Sequence, residues 1–198
     1  MMERISVMLT DQIIRNKLIS DNMRDWYIYA FSRLFETAIS LGMLMVVGFV
    51  TNRLLPLLLF WVFFDLLRRR AGGYHCEKYW QCFITTTIVF FGVVKIEPFL
   101  SSHPIILYSL LGVSAFVILI VGTINHPNID YDSMELVKSK EFSRHILAIE
   151  LFVILSFFML GVKEIYLTYM SAGVIICAML MGLAKLLGQE AKVNEKAE

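Results

Sequence analysis

The residues best suited to covalent chemistry in this chain stand close together. Positions 68–82 read Arg-Arg-Arg-Ala-Gly-Gly-Tyr-His-Cys-Glu-Lys-Tyr-Trp-Gln-Cys. His75 and Cys82 supply a base and a soft nucleophile. A cysteine thiol is a few per cent thiolate at neutral pH, and a neighbouring histidine, nearby cations or a helix N-terminus raises that fraction. Arg68, Arg69 and Arg70 bring three cations to the same stretch. The Gly72-Gly73 pair permits a tight turn or a close backbone approach by a ligand.

The spacing constrains how the two groups can meet. On one unbroken helix, seven positions separate His75 from Cys82 by about 10.5 Å of rise. General-base catalysis needs a contact of about 3 Å. The pair therefore requires a bend between its members, or partnership across a dimer. The glycines favour His75 on a loop and Cys82 in the first turns of the helix that follows, where the helix dipole also favours thiolate. Cys76 is a competing nucleophile, but adjacent residues on regular backbone seldom point at each other.

Other readings of the patch stay open on the residues alone. His75, Cys76 and Cys82 could ligate a metal, but their spacing fits no zinc pattern and a fourth ligand is not evident, so neither metal nor cofactor is expected. The chain has no H-E-x-x-H and no G-x-S-x-G. A basic membrane-interface loop that merely contains a His and a Cys would look the same.

The elements that must hold this patch are membrane helices. Of the 198 residues, 58% are hydrophobic and 18% charged, against about half and about a quarter in a soluble domain. The excess lies in long apolar runs, which excludes a water-soluble globular domain. With Gly at 11 and Pro at 4, disorder and collagen-like structure are excluded too. A net charge of +1 suggests no nucleic-acid partner, and three Cys make no disulfide framework. The expected fold class is all-α: one integral membrane domain over 1–198, with an amphipathic interfacial helix over 1–25, a helix bundle over 26–187 and a tail over 188–198.

Six spans are expected, at about 30–50, 54–67, 79–96, 104–125, 146–162 and 165–187. Four are firm. The second is short and contains Pro56 and Asp65, and the third carries Gln81, Lys95 and Thr85–Thr87. These two could be short tilted spans or a re-entrant pair. Lys and Arg counts along the connections run 4, 1, 4, 1, 3, 1, 3. Because cytoplasmic loops carry the excess, this alternation predicts six crossings, with both termini and the 68–78 and 126–145 loops in the cytoplasm. Residues 1–25 lack the apolar core of a cleavable signal. Ile5, Met8, Leu9, Ile13 and Leu18 recur at near-helical spacing instead, which suits a helix on the inner leaflet or against protein.

Polar residues within spans are costly, so each is a site candidate. Arg33 and Glu36 are spaced to pair on one face, and Asp65 to pair with Arg68 or Arg69. Glu150 has no local partner and should face the bundle interior, as a tether for another helix or as a substrate contact. Cys177 lies among apolar residues and reads as core filler.

An arginine-rich end, then Gly-Gly-x-His, then Cys seven residues after the His, between short apolar segments of a chain of about this length, resembles the accessory gene regulator protein B (AgrB) family. Likeness in length and span pattern covers essentially the whole chain, whereas the motif likeness is confined to about residues 68–82. The resemblance implies a bacterial plasma-membrane cysteine endopeptidase of peptide quorum sensing. Its partner would be an AgrD-type precursor peptide, and a homodimer is expected. Carried over, His75 matches the family's catalytic His, Cys82 its nucleophile, Gly73 its required Gly and Arg68 its Arg seven positions before the His. Pro127 and Asn128 keep part of a later loop, but Ile129 and Asp130 depart from its basic and Pro positions. Cys76 stands where the family has a small residue that is not a thiol. The implied reaction is cleavage of the precursor through a Cys82 thioester, followed by thiolactone or lactone closure. Arg68–Arg70 would bind an acidic part of the precursor or serve as positive-inside anchors, and candidates to orient His75 are Glu77, Asp65 and Asp130. The rival of another class is a non-enzymatic peptide exporter or transporter subunit, in which Glu150 and the Arg33–Glu36 pair would line a pathway.

Overall fold

A computed structural model of the chain describes residues 2–16, 18–74, 79–125 and 132–189. His75, Cys76 and Glu77 lie outside the described residues, as do Pro127, Asn128, Ile129 and Asp130 and the Arg33 side chain. The described residues form seven α-helices and one 3-10 turn at Asp21–Met23. The helices are α1 (Met2–Arg15), α2 (Arg24–Val50), α3 (Leu54–Ala71), α4 (Tyr79–Ser102), α5 (Pro104–Val121), α6 (Ser133–Met159) and α7 (Glu164–Leu186). Five of them, all but α1 and α3, are long and apolar enough to cross a membrane. The fold is a polytopic helical bundle.

The six expected spans are all helices, with revised ends. α3 begins at Leu54 as expected but runs on to Ala71. Its Pro56 is the third helical residue, where the missing N–H is not needed by the helix. Asp65 and the three arginines make it too charged to count as a span by composition, and its 18 residues rise about 27 Å. It packs against α2, α6 and α7, while its Leu55, Val62 and Leu66 stay exposed. α4 continues past the expected end at 96 to Ser102 and carries Pro98 inside it. Lys95 therefore lies on the helix, exposed, and not on a connection.

The largest departure is α6. Residues 126–145 were expected to be a loop, but a helix begins at Ser133, thirteen positions before the expected 146. Its start is fixed by a capping box: the Glu135 backbone N–H donates to Asp132 Oδ1 at 2.7 Å, and the Asp132 N–H donates back to Glu135 Oε2 at 3.4 Å. α1 ends at Arg15, short of the expected 25. Its polar Ser6 and Thr10 are buried while Ile5 and Met8 are exposed, and Arg24 of α2 pairs with Asp11 at 2.9 Å.

α7 is the axis of the bundle and packs against α3, α4, α5 and α6. Lipid tails give no hydrophobic drive to helix association, so close packing of small residues must supply it. At Gly173 an added Cβ would lie 2.9 Å from the Phe60 carbonyl oxygen and 3.0 Å from the Phe64 nitrogen. The backbone of α3 thus rides directly on α7. On one side of this contact Phe63, Leu67, Leu147 and Val174 form one core, and on the other Leu44, Phe60, Phe90 and Tyr169 form a second.

At the end of the bundle where α3 starts, a polar network ties the helices together. Arg53 donates to Glu97 at 2.7 Å, Ser101 donates to the same carboxylate at 2.9 Å, and Ser101 meets Thr168 at 3.0 Å. Glu97 is buried. Its pairing with Arg53 and Ser101 offsets the cost of burying a carboxylate on α4.

Candidate active site

The site is built at the opposite end, where α3 stops. Gly72 (φ 69°) and Gly73 (φ 124°) hold backbone conformations that side chains rarely adopt. Close approach adds a second requirement. A Cβ on Gly72 would lie 2.7 Å from the Ile124 carbonyl oxygen, and one on Gly73 would strike the Arg68 guanidinium and come within 3.1 Å of the Leu180–Met181 backbone. The glycine pair therefore lets the chain turn sharply between α7 and the 122–125 segment.

Arg68 fixes the turn. Its guanidinium donates from Nη1 to the Gly72 carbonyl and from Nη2 to the Tyr74 carbonyl. The Tyr74 N–H donates to the Leu180 carbonyl at 2.9 Å, which pins the loop to α7. Behind it, the Ile124 N–H donates to the Ala71 carbonyl at 2.9 Å. The Arg70 carbonyl accepts from Thr123 Oγ1 at 3.0 Å and from Ser139 Oγ at 3.1 Å. The early start of α6 thus has a positional role, because Ser139 sits in the part that was expected to be loop. The chain is held on both sides up to Tyr74, the residue before His75.

The other two arginines are also engaged within the chain. Arg69 pairs with Asp65 at 2.7 Å, one of the two pairings anticipated for that carboxylate. Arg70 lies over the Phe142 ring, 5.1 Å from its centroid. Glu150 is buried as expected, and neither carboxylate oxygen has a hydrogen-bond partner among the described residues. It lies on α6 and is not among the residues lining the cavity described next. Cys177 is fully buried in the core.

Cys82 is exposed in the first turn of α4, which begins at Tyr79. The first four N–H groups of a helix have no partner within it, and its dipole favours negative charge there. Cys82 lines a cavity of about 210 Å³ together with Tyr74 and Arg68. α4 contributes Phe83 and a helical stripe of Cys82, Thr85, Thr86, Val89 and Phe90. α3 contributes Phe60, Phe64 and Arg68 at four-residue spacing together with Trp61, Asp65, Arg69 and Arg70, and α2 contributes Glu36, Thr37 and Ser40. Sequence reasoning found Cys82, the glycines and the arginines. It missed this aromatic and hydroxyl lining, although the stripe spacing along 82–90 was available to be read.

Fold and site together define a multi-helix membrane protein with a cysteine at a helix N-terminus, opening on a cavity beside a clamped glycine turn. The family model of accessory gene regulator B matches residues 6–182. The chain belongs to the accessory gene regulator B family, which is linked to autoinducing-peptide processing. No curated protein and no solved structure matches the chain.

Proposed function

We propose that the protein is a membrane cysteine endopeptidase that cleaves an AgrD-type precursor and promotes its cyclisation, acting at the cytoplasmic face. The observation that carries this reading is the shared cavity: Cys82, at the N-terminus of α4, lines it together with Tyr74, the residue covalently joined to His75. His75 takes the proton from Cys82. The thiolate attacks a precursor carbonyl, and His75 protonates the leaving amine. The C-terminal remnant departs and the peptide remains as a thioester on Cys82. The peptide's own Cys or Ser then attacks this thioester, forming the ring and restoring the thiol. Thioester exchange keeps the acyl group activated, whereas water would discard it. Proximity favours the internal nucleophile over water. Backbone N–H groups in the first turn of α4 are the donors available to the oxyanion.

Both reactive groups come from one chain in this reading, and a homodimer is an assembly rather than a requirement of the chemistry. The exporter alternative rests on Glu150 and the Arg33–Glu36 pair as pathway residues: Glu150 is buried away from the cavity, whereas Glu36 lines it. The test is coexpression with the precursor gene. Cys82→Ala and His75→Ala should each abolish cleavage while the protein still reaches the membrane, and Cys76→Ala and Cys177→Ala should not. Cleavage lost with Cys76→Ala and kept with Cys82→Ala would assign the nucleophile elsewhere.

A further inference from the structure

We propose that the Thr86 hydroxyl is a catalytic donor, giving a hydrogen bond to the oxygen of the precursor carbonyl while Cys82 attacks it. This deepens the endopeptidase reading and rests on it.

A hydroxyl with no partner, one turn from the thiol, carries the inference. Thr86 follows Cys82 by four positions on the same stripe of α4, and both line the cavity. Residues four apart on a helix have Cβ atoms roughly 6 Å apart, and their side chains lean toward the helix N-terminus. Thr86 therefore leans onto the turn that holds Cys82. A helical hydroxyl away from water ordinarily turns back to the carbonyl four residues before it. On α4 itself Thr87 does so with Phe83 at 2.9 Å, and Ser102 with Pro98 at 2.8 Å. Half-buried Thr86 makes no hydrogen bond among the described residues, so its donor is unspent beside the nucleophile.

The other donors of the cavity are committed or less well placed. Arg68 holds the Gly72 and Tyr74 carbonyls, Arg69 holds Asp65, and Arg70 covers Phe142. Glu36 and Thr37 have contacts of their own. Thr85 is exposed, and Ser40 belongs to a different helix, α2. The first N–H groups of α4 point out of the helix end and serve an oxyanion from that side. The cavity flanks the stripe that follows Cys82, and a carbonyl seated there turns toward Thr86.

As the Cys82 thiolate bonds to the carbonyl carbon, the π pair moves onto oxygen, and the Thr86 O–H holds that charge without giving up its proton. The pair returns when the C–N bond breaks, and the amine leaves with the proton from His75. The same oxyanion forms again when the peptide's own Cys or Ser attacks the thioester. Such a donor binds the transition state more strongly than the ground state and acts on kcat.

The test compares Thr86→Val, which removes the hydroxyl, with Thr86→Ser, which keeps it. Precursor cleavage is measured in membranes with matched protein levels. Alkylation of Cys82 by iodoacetamide is measured in the chain with Cys76→Ala and Cys177→Ala. Alkylation displaces iodide at a saturated carbon and builds no oxyanion, so it reports only the thiolate and its access. Thr86→Val should lower kcat roughly a hundredfold, with KM and the alkylation rate near the parent values. Thr86→Ser should recover most of the rate, and Thr87→Val should match the parent. A parent-like kcat in Thr86→Val overturns the proposal, as does a loss carried by KM or matched by slower alkylation. Thr86→Ser as impaired as Thr86→Val at equal abundance, or a loss confined to Thr85→Val, also overturns it. Should Thr86→Val fail to accumulate, Thr86→Ala is judged by the same criteria. Cleavage by the Cys82→Ala protein would bring down the endopeptidase reading itself. Cleavage lost in Cys82→Ala and kept in Thr86→Val would overturn this proposal alone.

Discussion

Replacing Arg68 by lysine separates two roles for the same charge. In the structure one guanidinium donates to two carbonyls, those of Gly72 and Tyr74, and so fixes the path of the chain up to the residue before His75. A guanidinium presents a rigid fork, whereas an ammonium is a point charge that cannot reproduce a two-pronged contact. Arg68→Lys should keep one of the two bonds. A hydrogen bond from a charged group contributes about 1.5–3 kcal/mol. Losing about 2 kcal/mol from the held conformation lowers its population roughly thirtyfold where it is no longer the favoured state. The measurement is precursor cleavage in membranes with matched protein levels. Arg68→Lys should lower kcat by between ten- and thirtyfold, and Arg68→Ala, which loses both bonds, should lower it further. The KM of Arg68→Lys and its dependence on salt should change little. If Arg68 instead attracts an acidic stretch of the precursor, lysine retains the charge and cleavage stays near the parent level. That result, or a loss carried wholly by KM and deepened by salt, would refute the clamp.

Three further outcomes follow from the packing. Gly173→Ala places a methyl group 2.9 Å from the Phe60 carbonyl oxygen, and overpacking of this kind costs about 1–3 kcal/mol. It should lower the thermal midpoint in detergent and reduce cleavage, whereas Gly182→Ala, which meets nothing within 4 Å, should do neither. Glu150→Leu removes a buried carboxyl with no hydrogen-bond partner among the described residues and should raise stability by about 1–3 kcal/mol with cleavage retained. Loss of cleavage at normal abundance would give Glu150 a functional role instead. Glu97→Gln removes the charge facing Arg53 and should cost about 1–2 kcal/mol in unfolding assays, with no preferential effect on the reactivity of Cys82.

The sequence made some of these features legible because their causes are local. A glycine pair after a charged helix end signals a turn with special backbone angles, and both glycines have positive φ. Cys82 was expected in the first turns of a helix and is found there. Asp65 and Arg69 are four positions apart and pair. A lone mid-span Glu150 had to face inward, and it does. The rest was hidden because its causes lie between distant segments. Arg53 and Glu97 are 44 positions apart, and nothing in either neighbourhood names the other. The cavity needs stripes from α2, α3 and α4 to converge, and no single stripe announces it. The first half of α6 was a different failure. Its cap, Asp132 with Glu135, is a local signal that polar composition masked, since a helix that leaves the membrane no longer reads as apolar.

The central claim is that Cys82 carries the peptide as an acyl group, and trapping that species tests it most directly. A precursor whose ring-closing Cys or Ser is changed to Ala cannot cyclise, so the acyl-enzyme should accumulate. Mass spectrometry of the purified membrane protein should then show the N-terminal part of the precursor attached at Cys82 and released by hydroxylamine, with no adduct in Cys82→Ala. Absence of any adduct at Cys82 while cleavage proceeds, or cleavage by the Cys82→Ala protein, would contradict the account.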